Sequence, residues 1–264
     1  MAGSTTAERG ERQQESAGPP PVRRWRRPRL GVIIASAVSL ALLGAGSVWV
    51  LYGSEWLRVR HVSVSGTRVL TPAEVRAAAA VPVGAPLVSV DTDAVQARLR
   101  GKLRRVDTVE VARSWPHGIT LKLTERTPVL LARENGRFTE IDDEGVAFAT
   151  TGKAARGVPM LELDVSRKGS SAASLRRFGA GRLVREAVRV AGGLPAAVAR
   201  DTRTVRVGSF DGITLELGHG RTVEWGSGEQ GRAKARALTA LMKAAPGAWH
   251  FDVSVPTAPA SAGS

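Results

Sequence analysis

The longest apolar run in the chain reads LGVIIASAVSLALLGAGSVWVLY, residues 30–52, and contains no charged side chain. Such a run makes roughly 34 Å of helix, against a hydrocarbon core of about 30 Å. The pattern therefore predicts one membrane-spanning helix. Trp49, Tyr52 and Trp56 gather at its far end, where amphipathic rings favour the membrane interface. The alternative is a cleaved signal peptide, with Gly44-Ala45-Gly46 as the small-residue site. Signal cores run about 7–15 residues, and here the apolar sequence continues through Val48 to Leu51. The length favours an uncleaved anchor.

Beyond the anchor the periodicity shortens. Val62 and Val64 mark a strand that ends at Ser65-Gly66. Thr71-Pro72-Ala73-Glu74 then carries the signs of a helix start: an N-cap threonine, proline at the first helical position and glutamate three residues after the cap. That helix is predicted to stop before Val81-Pro82-Val83-Gly84. Asp91 is the expected cap of a second helix, with Val95, Leu99 and Leu103 on its buried stripe. Val109 and Val111 alternate with polar residues, Trp115-Pro116-His117-Gly118 turns, and Ile119, Leu121 and Leu123 alternate again. The order is strand, helix, helix, strand, strand.

After Arg126 short strands dominate: around residues 129–132, 138–141, 146–148 and 160–163, with turns at Asn135-Gly136 and Asp142–Gly145. Residues 167–174 are rich in Ser and Gly and read as a flexible linker. Residues 183–191 read as a helix ended by Gly192-Gly193. Strands at Val205/Val207 and Ile213/Leu215/Leu217 flank an Asp211-Gly212 hairpin signal, and Val223 and Trp225 follow. A helix over residues 229–245 is expected to turn Ala235, Leu238, Leu241 and Met242 inward and Arg232, Lys234, Arg236 and Lys243 outward. A last strand is placed over 249–255, and residues 256–264 read as a disordered tail. The fold class is α+β.

Charge orients this picture. The formal net charge is +14, and the one compact basic block, Arg23, Arg24, Arg26, Arg27 and Arg29, abuts the apolar run. Positive flanks stay in the cytoplasm, so residues 1–29 are expected to be a disordered cytoplasmic tail. Nearly all the mass is then outside. With no cysteine, no disulfide can staple the outer part, and it must rest on its core.

Catalytic chemistry finds few candidates. His61, His117, His219 and His250 do not fall at metal-ligand spacing, and no HExxH or GxSxG occurs. His117 and His219 sit beside turn glycines and read as surface turn residues. Asp91 and Asp93 fit helix capping better than an acid pair. The Glu125-Arg126 pair suits an ion pair between domains. No enzyme, cofactor or metal site is expected. Nucleic-acid binding is disfavoured, because no basic motif is interleaved with stacking aromatics.

Several stretches, in order, resemble the FtsQ/DivIB family of bacterial cell-division proteins, of actinobacterial type. They are RVRHVSVSG after the anchor, TPAEV, VPVGAPLVSVDTDAVQARL, RSWPHGITLKLTERTPV and, later, ITLELGHGRTVEWG and HFDVSVP. Within the fourth, the residues that carry the likeness are Arg113, Trp115, Pro116, Leu121, Glu125, Arg126, Pro128 and Val129. The resemblance implies a transmembrane helix over 30–52, a POTRA domain over 57–126 and a mostly antiparallel β-rich domain over 127–255. It also implies a non-enzymatic, single-pass scaffold of the divisome in the cell membrane, enriched at the septum. Its partners would be FtsB/DivIC-like and FtsL-like proteins, and through them the septal peptidoglycan machinery. Partner contact would fall on Arg232, Arg236 and Lys243 of the final helix and on Phe251, Val253 and Val255 of the final strand. A membrane-anchored cell-wall enzyme or regulator is the alternative.

Overall fold

A computed structural model describes residues 30–164 and 169–263. The chain falls into two units, Met1–Val50 and Leu51–Ser264. In the first lies most of helix α1 (Leu30–Gly53). Among the described residues it is the one helix long and apolar enough to cross a membrane. None of its residues is buried by protein, which is how a helix solvated by lipid presents itself.

The second unit contains two separate hydrophobic cores. The first core is built by β1 (His61–Ser65), α2 (Pro72–Ala79), α3 (Thr92–Lys102), β2 (Val106–Ser114) and β3 (Gly118–Glu125). The Thr71 side chain accepts from the Glu74 N–H while Glu74 reaches back to the Thr71 N–H, the capping box that the sequence predicts. The hydrogen bonds that its carboxylate accepts from the Thr71 N–H and the Thr71 hydroxyl hold the Glu74 carboxyl below its ordinary value. Asp91 caps α3 through the Asp93 and Ala94 N–H groups. The three strands lie in the order β1-β3-β2, with β1 parallel and β2 antiparallel to the central strand. Ile119, Leu121 and Leu123 of β3 meet Val75 and Leu99 of the helices in this core. Gly66 is required after β1: a side chain there would drive its Cβ to 1.8 Å from the Leu123 carbonyl oxygen.

The second core lies on a nine-stranded sheet. Its strands are β4 (Leu130–Glu134), β5 (Arg137–Ile141), β6 (Ala147–Thr151), β7 (Met160–Leu163), β8 (Thr202–Val207), β9 (Ile213–Leu217), β10 (Thr222–Gly226), β11 (His250–Asp252) and β12 (Ala260–Ala262). They run in the order β12-β11-β10-β9-β8-β7-β4-β5-β6. Hairpins account for the antiparallel pairs, and Asn135 and Gly136, both at positive φ, make the tightest turn. The parallel pairs β4/β7, β7/β8 and β10/β11 need longer crossovers. Helices α4 (Gly169–Phe178), α5 (Ala180–Gly193) and α6 (Ala196–Asp201) occupy the β7-to-β8 crossover, and α7 (Gly231–Ala244) occupies the β10-to-β11 crossover.

Two expectations change here. Most of the supposed linker over 167–174 is helix α4, while residues 165–168 lie outside the described residues. Ala172, Leu175 and Phe178 recur at helical spacing; Leu175 and Phe178 pack against the second core, and Ala172 is buried. Phe178 stacks on Phe210 at 4.5 Å, and the Arg182 guanidinium covers both rings. The supposed disordered tail instead places Ala260–Ala262 as the last strand of the sheet. The strand is there because β11 offers a backbone edge, not because Ala-Ser-Ala favours extension. The expected disorder of residues 1–29 lies outside the described residues.

Candidate partner-binding edge

The β11 end of the sheet is where chain order and hydrogen-bond order finish together. Strand β11 runs parallel to β10, with the Val253 N–H donating to the Glu224 carbonyl and the Thr222 N–H to the Trp249 carbonyl. Residues 249, 251 and 253 therefore direct their backbone groups toward β10. By alternation His250 and Asp252 direct theirs the other way, toward β12. The antiparallel register pairs His250 with Ala262, Phe251 with Ser261 and Asp252 with Ala260. Phe251 and Val253 are buried in the second core. The inward face of so short a strand is needed to close the core beneath α7. Val255 is exposed.

Arg232, Arg236 and Lys243 are exposed on α7, and their spacing of four and seven puts them on one stripe. Lys234 overturns its expected outward position. It is 2% exposed, and its ammonium donates to the Trp225 and Ser227 carbonyls, each at 2.9 Å. The signal was in the sequence, because Lys234 stands four residues before Leu238 and seven before Leu241, on the inward stripe. The first turn of α7 packs on the strand it has just left, and the long stem of the lysine carries its charge to the carbonyls at that strand's end. Burial pushes the Lys234 ammonium below its ordinary value, against the pull of Glu229, Asp211, Glu186 and Asp252. From the other side, buried Glu186 of α5 accepts the Gly228 N–H at 2.7 Å. The loop leading into α7 is thus held from both sides.

At the junction of the two cores, Glu125 accepts the N–H groups of Arg68, Val69 and Leu70 at 2.7–3.1 Å. Arg126 crosses to the second core, pairing with Asp142 and, at 3.0 Å, Glu144, while Asp107 of β2 stands 3.5 Å away on the first. Although burial opposes it, the hydrogen bonds to Asp142 and Glu144 and the field of Asp142 and Asp107 raise the Arg126 guanidinium above its ordinary value. A second cross-link joins Arg105 to Glu140 at 2.7 Å, with the guanidinium over Phe148.

Sequence spacing missed the meeting of His61 and His117. The β1/β3 register brings their rings to a 5.3 Å edge-to-face contact. His117 lies in the turn that the sequence predicts and is half-buried there. Among the described residues no group of three or more His, Asp or Glu is placed to hold a metal ion. The block Arg23, Arg24, Arg26, Arg27 and Arg29 lies outside the described residues.

A family model described as the POTRA domain, FtsQ-type, matches residues 57–126. The cell division protein FtsQ of Streptomyces collinus is 72% identical over the whole of both chains, and that of Streptomyces coelicolor is 70% identical over the whole of both. The chain belongs to the FtsQ family of cell-division proteins. More distantly, FtsQ of Mycolicibacterium smegmatis is 35% identical over 85% of this chain and 62% of that one. The extracytoplasmic domain of DivIB from Geobacillus stearothermophilus overlaps 46% of this chain and 94% of its own, at 18% identity and a TM-score of 0.31, too low to bear on the fold. Membership gives the chain a role in the divisome, within a family of non-enzymatic division proteins. Its FtsQ-type POTRA match ends at Arg126, the residue that bridges to the second core.

Proposed function

We propose that this chain is a single-pass divisome scaffold, with its N-terminus in the cytoplasm and Leu51–Ser264 outside. There it would gather FtsB/DivIC-like and FtsL-like proteins at the septum and, through them, the peptidoglycan synthesis machinery. The observation that carries this reading is the β11 end of the sheet. In a family of division proteins, a sheet that ends on three residues of light, exposed strand is suited to accepting an extended segment by strand addition. The basic stripe Arg232, Arg236 and Lys243 lies on α7, the helix that packs on β11, and would steer an acidic partner segment. The five arginines before α1 support the orientation. Phe251 and Val253 would act here by holding the backbone of β11 in place, and Val255 by direct contact.

Pull-down of the full chain with the FtsB-like and FtsL-like proteins of the same genome tests the proposal. Capture of either, weakened when Arg232, Arg236 and Lys243 are all changed to Glu, is the expected result. Failure to capture either, together with normal septation after depletion, would overturn it.

A further inference from the structure

We propose that the end of the first core nearest α1 in the chain rests on the outer lipid surface, so that this core is an interfacial foot of the anchor rather than a body swinging from it. The inference rests on the reading of α1 as a membrane anchor and adds a second contact with the same membrane. In the sheet, His61 of β1 pairs with Gly118 of β3, and Gly118 pairs with Ser114 of β2. The start of β1 and the β2–β3 turn therefore share one end. The loop between α2 and α3 is tied to it: the Val59 N–H donates to the Ala85 carbonyl, the Gly84 N–H to the Val59 carbonyl and the Arg60 N–H to the His117 carbonyl. The opposite end, where Val106 meets Glu125, leads to the second core.

Three large apolar side chains stand out from these pieces: Trp56 of the short turn Glu55–Leu57, Val83 of the loop and Trp115 of the β2–β3 turn, each more than half exposed. An exposed apolar side chain alone needs no explanation. Three at one end, two of them tryptophan, match the composition of a membrane interface. Charge agrees. Residues 53–62, 81–90 and 113–120 hold Arg58, Arg60 and Arg113 against one acid, Glu55. The three guanidinium groups donate to backbone carbonyls, those of Gly84, of Glu55, and of Leu87 and Val90, and so keep an uncancelled positive charge. Position decides for lipid over a protein partner. Only Ser54 and Glu55 stand between Gly53, the last residue of α1, and Trp56, a reach of about 10 Å of extended chain at most. Where α1 leaves the bilayer, these groups are already within reach of the headgroups. The partner is thus a leaflet with anionic phosphates: the indoles seat among the headgroups, Val83 dips toward the acyl chains and the arginines meet phosphate.

The test uses the full chain, which lacks cysteine, in nanodiscs of phosphatidylglycerol or of phosphatidylcholine. Single spin labels on Ser39→Cys, Val83→Cys and Lys153→Cys are read by power saturation against oxygen, which favours lipid, and a nickel chelate, which stays in water. Ser39 lies within α1, and Lys153 is exposed in the β6–β7 loop. The Ser39→Cys label should be shielded from nickel and the Lys153→Cys label open to it. The Val83→Cys label should be several-fold less open to nickel than the Lys153→Cys label. Trp56→Ser with Trp115→Ser should return the Val83→Cys label to water. Arg60→Gln should shift the docked-to-free ratio roughly fivefold toward free in phosphatidylglycerol and little in phosphatidylcholine. Circular dichroism of each variant should match the parent, and Arg60→Gln, a change at an exposed side chain, carries the test if the serine pair perturbs the fold. A Val83→Cys label as open to nickel as the Lys153→Cys label, beside a shielded Ser39→Cys label, would overturn the proposal and leave the anchor in place. An open Ser39→Cys label would sink the anchor and the foot together. Shielding at Val83→Cys that outlasts the serine pair in a folded chain, or that arises only when another division protein is added, would overturn lipid as the occupant.

Discussion

Removing the Arg126 side chain is the sharpest test of how the two cores are joined. In Arg126→Ala, Asp142 keeps its 1% exposed side chain but loses its cation. Breaking a buried pair by deleting one partner costs about 3–5 kcal/mol. Two observations reduce that figure. Asp142 still accepts the Glu144 N–H at 3.0 Å and the Val146 N–H at 2.7 Å. Glu144 and Asp107 are 64% and 38% exposed, so their share is small. A loss of about 2–4 kcal/mol remains, which for a unit of this size lowers the Tm by roughly 5–15 °C. Urea and thermal unfolding of Leu51–Ser264, the compact second unit, would measure it. Arg126 ties one core to the other, so the transition should also broaden or split as the cores uncouple. A double-mutant cycle with Asp142→Asn should give a coupling of about 1–3 kcal/mol. A Tm within about 2 °C of the parent, or a coupling under about 0.5 kcal/mol, would refute the reasoning.

Lys234→Met should lower stability by about 2 kcal/mol, because the Trp225 and Ser227 carbonyls lose their donor, partly offset by the relief of burying an ammonium. Burial lowers the Lys234 pKa, so the unfolded chain binds this proton more tightly. Parent stability should therefore rise relative to Lys234→Met as pH climbs from the lowered value through about 10.4, a trend that urea midpoints across that window would check. Glu125→Gln weakens three backbone hydrogen bonds and should cost about 1–3 kcal/mol, with faster amide exchange at residues 68–70. The chain has no cysteine, so a single introduced thiol reports topology cleanly. In intact cells Lys153→Cys should react with a membrane-impermeant maleimide and Ser4→Cys should not; the reverse would overturn the proposed orientation.

What the sequence made legible was local. Thr71 and Glu74 lie three residues apart, and alternation at Ile119, Leu121 and Leu123 is complete within one strand, so both could be read without knowing what packs on them. Charge alone points Lys234 outward, but its place on the Leu238 stripe decides its burial. Strand β12 was invisible for a different reason: Ala, Ser and Gly carry no strand signal, and its pairing is dictated by an edge that exists only once β10 and α7 have placed β11. The sheet order was hidden likewise, since β7 joins β4 to β8 across long crossovers. In the candidate site, the α7 stripe could be read from spacing, whereas the burial of Phe251 and Val253 depended on a helix arriving from above.

The strand order also sets a distance and a direction. Strand β4, which follows the Arg126 junction, is separated from β11 by five ladder steps, through β7, β8, β9 and β10. At about 4.8 Å each, the steps put the two strands roughly 24 Å apart. At about 20° of twist per step, β11 is turned by roughly 100° from β4. A segment added at this end of the sheet would therefore run nearly crosswise to the strand that leaves the first core. Its offset and heading would be set by counted hydrogen-bonded rungs rather than by any loop.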